Sequence, residues 1–370
     1  MDNITCRACR GQAGAIVLDL GNQPACDLFP DCADPGPDPV HALQMWLCSA
    51  CGLAQLAADP TMPAEPRGAE PAALVAQARD AVTRVQAAGM LPEGATVAEY
   101  GSPHGGSWLG LAADRGLKPV ADDERADVIV DCFGMMHAAD QHAALSERAA
   151  RLAPGGTLLL QYHSLETIIR DHQWNSLRHG HYAYYSTQAL AGMLAVHGLR
   201  PRTAWLFELY GGTVLLAVEH ATDAAGRPDA AVRGLLDSEA ETGVRDPVVL
   251  ARLHDEMQRH ARGLRDWLGE ERSAGRMVLG YGAASRAVAL LCKAGVTSAL
   301  LPGVVDASPA KSGLRMPGTD IPVLSPAALL ASKPDAVVLF VADLLTEVRA
   351  AYPGVEASGG RWVVADVIGS

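Results

Sequence analysis

Two short cysteine pairs, Cys6-x2-Cys9 and Cys48-x2-Cys51, stand out first. Each pair can present two thiolates on one tight turn, and two such turns complete a tetrahedral four-sulfur site of the kind zinc prefers. The roughly 38 residues between the pairs exceed a short zinc ribbon, yet a loop of that length costs little extra closure entropy. With four protein ligands the metal has no open position and is structural. A redox Cys-x2-Cys would come singly at a strand-to-helix junction. The other dense patch of chemistry is the stretch 161–186, with four histidines, four tyrosines and a tryptophan in 26 positions after a core-strand pattern. Imidazoles and phenols at that density suit a wet pocket that binds a polar ligand and moves a proton. His181 is the candidate base, with His179 beside it; Tyr162, His163, Trp174, Asn175, Tyr182 and Tyr184 are the candidate ligand contacts. In an extended chain His179 and His181 point the same way and could hold a metal, but no carboxylate or cysteine cluster lies near in sequence.

Two glycine turns follow strand patterns and open helices. In the first, Glu99, Gly101, Ser102 and Gly105 surround a turn where backbone can approach a ligand and a helix N-terminus offers free N–H groups. An acid two positions ahead of the glycine is typical of S-adenosylmethionine sites. Asp122 or Asp123 could take the ribose hydroxyls, and Asp131 ends the next strand. Only about 20 residues separate Gly106 from Asp127. They hold one helix and a short strand (118–123), so the wall that would cover an adenine is abbreviated. In the second turn, Gly280-Tyr281-Gly282, Arg286 lies one helical turn in and could hold a phosphate bidentately. Asp306 falls where a ribose-binding acid would lie, and Lys311 follows in a polar loop. A plain structural turn accounts for this motif equally well.

These residues must be positioned by an α/β architecture. Residues 1–70 form a small unit whose cysteine crowding replaces a large core. Residues 71–222 alternate helix and strand (helix 71–90; strands 95–102, 126–134 and 157–164; a closing hairpin 205–219) in the grammar of a doubly wound sheet. Residues 223–274 are charged and helical, and connect to a second Rossmann-like unit over 275–370. The expected fold is therefore α/β: a small zinc-binding N-terminal domain, an abbreviated Rossmann-like methyltransferase domain and a second Rossmann-like C-terminal domain. A net charge of −12 across 370 residues argues against nucleic acid or an anionic membrane as the main partner. No apolar N-terminal segment or 18-residue apolar run appears, so a cytoplasmic monomer or homodimer acting on a small molecule is expected.

The stretches CRACRGQAGAIVLDLGNQPACDLFP, LCSACGLAQL, GYGAASRA and VVDASPAKSGLRMPGTDIPV are similar to the signatures of the sugar C-methyltransferases of deoxysugar pathways in antibiotic biosynthesis. The resemblance covers nearly the whole chain. It implies three domains, a structural Zn2+, S-adenosylmethionine as cofactor and a nucleotide-linked 4-keto-sugar as substrate. It also implies a base that removes the proton beside the ketone, the resulting enolate attacking the cofactor methyl. That family's central motif resembles Tyr-x-Glu-His, where this chain has Arg178-His179-Gly180-His181. His181 falls on the base, Arg178 takes the tyrosine's place as oxyanion-side donor, and Gly180 replaces the glutamate. A relative that has lost methyl transfer could still enolise a keto-sugar, hence epimerise or isomerise it, or simply bind one.

Overall fold

The computed structural model describes residues 4–34, 36–61, 72–101, 106–221 and 227–368. Ser102, Gly105 and most of the Pro-rich stretch 60–72 lie outside them. Three antiparallel strands build the N-terminal unit: β1 (Gly14–Pro24), β2 (Val40–Cys48) and β3 (Ala54–Leu56). Val17, Leu18, Leu20, Leu43 and Met45 are buried on this sheet. The core is therefore larger than cysteine crowding alone implies.

The central unit runs α1 (Ala72–Ala87), β4 (Thr96–Tyr100), α2 (Leu109–Ala113), β5 (Lys118–Pro119), β6 (Ala126–Cys132), α3 (Gln141–Arg151), β7 (Leu152–His163), α4 (Leu165–Arg170), β8 (Ala183–Tyr184), α5 (Thr187–Val196), β9 (Leu199–Phe207) and β10 (Thr213–His220). Its sheet has the order β5-β4-β6-β7-β10-β9. The first four strands are parallel, and the β9–β10 hairpin closes the edge antiparallel. Among the described residues no strand lies beyond the two-residue β5, so the wall expected to be short is short. Val97, Val128, Ile129, Leu158 and Leu160 are buried on both sheet faces, as parallel strands covered by helices require.

β8 does not join that sheet. It pairs antiparallel with β3, Ala54 opposite Tyr184 and Gln55 opposite Ala183, so the histidine-rich segment is stitched to the N-terminal unit. Ser164 caps α4 by accepting from the Thr167 amide, and Ser186 caps α5 by accepting from Ala189. Each cap starts its helix, and the irregular loop that carries Arg178 to His181 lies between the end of α4 and β8.

Two helices follow, α6 (Ala230–Thr242) and the 27-residue α7 (Pro247–Ser273). Leu250, Leu253, Met257, Ala261, Leu264 and Leu268 form the buried stripe of α7, which packs against β1 and α8 and links the N-terminal sheet to the C-terminal unit in one core. The C-terminal unit comprises β11 (Val278–Tyr281), α8 (Ser285–Ala294), β12 (Val304–Val305), β13 (Val323–Leu324), α9 (Pro326–Ser332), β14 (Ala336–Leu339), α10 (Leu345–Ala351), α11 (Gly354–Ala357) and β15 (Arg361–Val364). Its sheet is fully parallel, in the order β13-β12-β11-β14-β15. Among the described residues no helix is long and apolar enough to cross a membrane.

Candidate active site

The four sulfurs of Cys6, Cys9, Cys48 and Cys51 lie within 4.8 Å of one another. The closest approaches are Cys6–Cys51 at 3.5 Å and Cys9–Cys48 at 3.6 Å. Left to themselves these thiols divide the protons unequally: hydrogen bonding from the Cys51 thiol holds Cys6 down to about 5, while the same contact drives Cys51 upward. A bound dication lets all four ionise, so the donor set fits zinc. Flanking contacts tie this knuckle to the central unit, through Arg7 Nη1 to the Ala139 carbonyl and an exposed Arg10–Asp140 pair.

A cavity of about 320 Å³ opens between the central and C-terminal units. One wall is the loop after α4. Its Gly180 adopts φ +83°, a left-handed turn that only glycine takes without strain, and the Gly180 amide donates to Asp59 Oδ2 at 2.6 Å. This turn sends the two neighbouring imidazoles apart, contrary to the shared direction an extended chain would give. His179 turns to the N-terminal unit, its Nε2 3.4 Å from the Ala42 carbonyl and its ring 6.1 Å from that of His41. His181 enters the cavity wall between His137, whose ring is edge-on at 4.6 Å, and His163, stacked at 6.4 Å. Burial, helped by Arg178, pulls His137 down to about 4; burial, then Arg286 and Arg178, pulls His163 down to about 3. Both neighbours of His181 are therefore uncharged near neutral pH.

Arg178 lies beside His181 in the same wall. Its Nη1 donates to Ser285 Oγ at 2.6 Å, its Nη2 lies 3.4 Å from Asp27 Oδ2, and its backbone amide donates to the Tyr184 hydroxyl at 3.0 Å. The first turn of α8 adjoins it through Ser285 and also lines the cavity. Ala284 at the N-cap offers no side-chain acceptor, so the N-terminus of α8, which lines the cavity, is uncapped, as an anion site would require. Arg286 donates to the Tyr210 carbonyl at 2.8 Å, and Lys311 to the Ala283 carbonyl at 2.8 Å. Asp306 accepts from the Ala283 and Ser308 amides, which fixes the glycine turn rather than leaving the carboxylate to a ribose. Tyr281 lines the cavity with its hydroxyl donating to Tyr352.

The residues expected from sequence to hold a cofactor lie along the C-terminal edges of β4 and β6. Glu99 accepts from Ser107 Oγ at 2.5 Å and from the Trp108 amide at 2.6 Å, anchoring the start of α2. Among the described residues, a side chain added at Gly101 would meet nothing within 4 Å. Asp122 and Asp123 are exposed after β5, on the strand beside β4. Glycine backbone at one strand end and free carboxylates at the next fit the adenosyl and ribose parts of S-adenosylmethionine. Asp131 lies elsewhere in function: it is fully buried, paired with Arg148 at 2.5 Å and accepting from the Met135 amide, so its carboxylate is not available to a cofactor. Phe133, at φ +65° just past β6, stacks on His163 at 4.9 Å and joins this end to the cavity.

Of the residues singled out from sequence, His163, Arg178, His181, Tyr184, Tyr281, Arg286, Asp306 and Lys311 line one cavity. Tyr162 does not; its hydroxyl bonds Thr187 inside the sheet core. Trp174 is buried with its indole N–H on His260, Asn175 is buried beside it, and Tyr182 lies outside under Arg7. Sequence reasoning missed Asp27, Asp59, His137, Tyr210 and Ser285. Tyr210, at φ +55° next to Gly211 and Gly212, carried a signal in its paired glycines; the others carry none.

Three family models tile the chain: a zinc binding domain over residues 6–61, a methyltransferase domain over 65–204 and a C-methyltransferase C-terminal domain over 208–365. These matches support a zinc-binding, S-adenosylmethionine-dependent methyltransferase that is similar to C-methyltransferases along nearly its whole length. Among characterised proteins it is similar to C-methyltransferase NovU of Streptomyces niveus, with 24% identity over 404 aligned positions that span 97% of this chain and 94% of the relative. Partial structural likenesses include the N-methyltransferase NodS of Bradyrhizobium japonicum in complex with S-adenosyl-L-homocysteine (15% identity, 41% of this chain and 90% of that one, TM-score 0.29). Magnesium protoporphyrin IX methyltransferase of Synechocystis is a second (12% identity, 40% and 84%, TM-score 0.29).

Proposed function

We propose that this enzyme methylates a carbon next to the ketone of a nucleotide-linked keto-sugar, with His181 as the base and Arg178 as the donor to the ketone oxygen. The observation that carries the reading is the division of one cavity. The loop after α4 contributes an imidazole and a guanidinium, and the C-terminal unit contributes an uncapped helix N-terminus with Arg286 and Lys311 as a second wall that adjoins the first at Ser285. A diphosphate is the natural guest of the second wall, because backbone N–H groups and fixed cations together favour a compact anion. A sugar attached to it then reaches the first wall. His181 takes the acidic proton beside the ketone, and Arg178 donates to the oxygen on which charge develops. His137 and His163, kept neutral, add no positive charge that would hold His181 away from a proton. Bound S-adenosylmethionine supplies the electrophilic methyl group. Glu99, Gly101, Asp122 and Asp123 are the described residues proposed to hold it, and Phe133 the one that separates it from His163.

The test is solvent deuterium exchange into dTDP-4-keto-6-deoxyglucose, with methyl transfer followed in parallel. Wild-type enzyme should wash deuterium into the carbon beside the ketone, and His181→Asn should lose about 10²- to 10⁴-fold of that rate while still folding. Exchange at the wild-type rate in the variant would remove His181 as the base. S-Adenosylhomocysteine should bind both proteins by calorimetry; no heat at millimolar ligand would remove the cofactor assignment.

A further inference from the structure

Arg178 has an unusual neighbour. Asp27 belongs to the N-terminal unit, 151 positions away, yet its Oδ2 is 3.4 Å from Arg178 Nη2 and both side chains are under a tenth exposed. We propose that Asp27 is a positioning residue for the reaction: its carboxylate fixes the direction in which the Arg178 guanidinium donates into the cavity. This rests on the reading of Arg178 as the donor to the ketone oxygen.

Three observations carry it. Arg178 is a long side chain with about 2 kcal/mol of rotamer freedom to lose. It is held at both ends of its guanidinium, Nη1 by Ser285 Oγ and Nη2 by Asp27, one partner from the C-terminal unit and one from the N-terminal unit. Secondly, Arg286 lines the same cavity and has Asp343 and Asp366 as its nearby counter-charges, while Arg178 has the Asp27 carboxylate within 4 Å. A guanidinium removed from water needs a fixed counter-charge, and one placed beside a second arginine needs it more.

Thirdly, Asp27 is itself held still. The loop after β1 docks on the loop that follows β12. The Arg315 amide donates to the Pro30 carbonyl at 2.9 Å, and the Arg315 guanidinium forms a buried fork on Asp38 at 2.6 and 2.7 Å. Lys311, which lines the cavity, sits 4.9 Å over the ring of Phe29. The same loop that presents Asp27 thus borders the proposed diphosphate wall. Asp59 contributes from the other side by accepting from the Gly180 amide, which fixes the turn between Arg178 and His181. Catalysis in the cavity between the central and C-terminal units is tuned by a unit that contributes no reacting atom.

A double-mutant cycle on the full, zinc-loaded chain separates positioning from general architecture. The variants are Asp27→Asn, Arg178→Lys and the pair together, read by deuterium exchange into dTDP-4-keto-6-deoxyglucose. Asp27→Asn should lower kcat for exchange about 10- to 100-fold, the range for loss of a charge-assisted contact, with KM within about threefold. The double variant should be no slower than Arg178→Lys alone, because Asp27 acts only through that side chain. Multiplying losses, or an Asp27→Asn enzyme at the wild-type rate, would overturn the proposal. If wild-type enzyme exchanges no deuterium, the base assignment fails on its own account. The cycle is then read from Kd for dTDP-4-keto-6-deoxyglucose by calorimetry, with the same non-additivity expected and additivity overturning it. Should Asp27→Asn not fold, Asp27→Glu keeps the charge one methylene further out and completes the same cycle: a changed kcat non-additive with Arg178→Lys supports positioning, and an additive or absent change refutes it.

Discussion

Arg148→Met takes away the positive half of an ion pair that water barely reaches. Arg148 is 6% and Asp131 0% exposed at the side chain, their Nε–Oδ2 separation is 2.5 Å, and the guanidinium also lies 3.9 Å over the Tyr100 ring at the end of β4. Among the described residues, the substitution leaves the Asp131 carboxylate with the Met135 amide as its hydrogen-bond partner. An uncompensated buried charge of this kind costs about 3–5 kcal/mol, and the lost ring contact adds about 1 kcal/mol. Replacing both partners, Asp131→Asn with Arg148→Met, removes the stranded charge and should recover most of the loss. Because three packed units in 370 residues need not unfold in one step, the readout is local: amide hydrogen exchange of β4 and β6 by mass spectrometry. Opening about 4–6 kcal/mol easier speeds exchange by about three to four and a half decades. Equal protection in the single and double variants would refute the argument, since it predicts that the pair matters through its unmatched member.

The four-cysteine site should hold one zinc per chain, measured by plasma emission, and Cys48→Ser should lower the metal content and the melting temperature together; full stability without metal would remove its structural role. His137 and His163 have folded pKa values of about 4 and about 3 against an ordinary 6.5, so the unfolded chain binds protons that the folded one refuses. Stability is therefore complete above pH 6.5 and falls as pH drops toward 4 and then 3, by about 1.4 kcal/mol per pH unit for each group. Urea midpoints at pH 7 and 5 should show the fall, and His163→Phe should flatten it; an unchanged slope would mean that His163 titrates normally. Gly212→Ala would place a methyl 2.4 Å from Thr167 Cγ2 at φ +118° and should destabilise the β9–β10 turn by more than 1 kcal/mol, seen as faster exchange there; unaltered exchange would mean that the turn shifts freely.

Cysteine spacing carried the metal site into the sequence because a ligand set is local: two pairs, two turns. The central sheet was legible from its apolar runs, and so was its shortness, since about 20 residues cannot hold two further strands and a helix. The cavity wall was harder to read. Aromatic and imidazole residues crowd 161–186, but strand β7 is buried on both faces, so Tyr162 shows no alternation to mark it as core, and Trp174 packs in an irregular turn with no period at all. His179 and His181 diverge because one glycine reverses the chain between them. Asp27 was invisible for another reason: a residue that acts on a partner 151 positions away leaves no trace in local pattern.

The pairing of β8 with β3 has a practical consequence for anyone dissecting the molecule. A fragment beginning near residue 72 would carry Ala183 and Tyr184 with no strand to receive them, and one ending near residue 61 would present the bare edge of β3 to solvent. Neither half is a self-sufficient module. Expression of the central unit alone should give a protein that self-associates, because the hydrogen bonds its own neighbour supplied will be sought from another molecule.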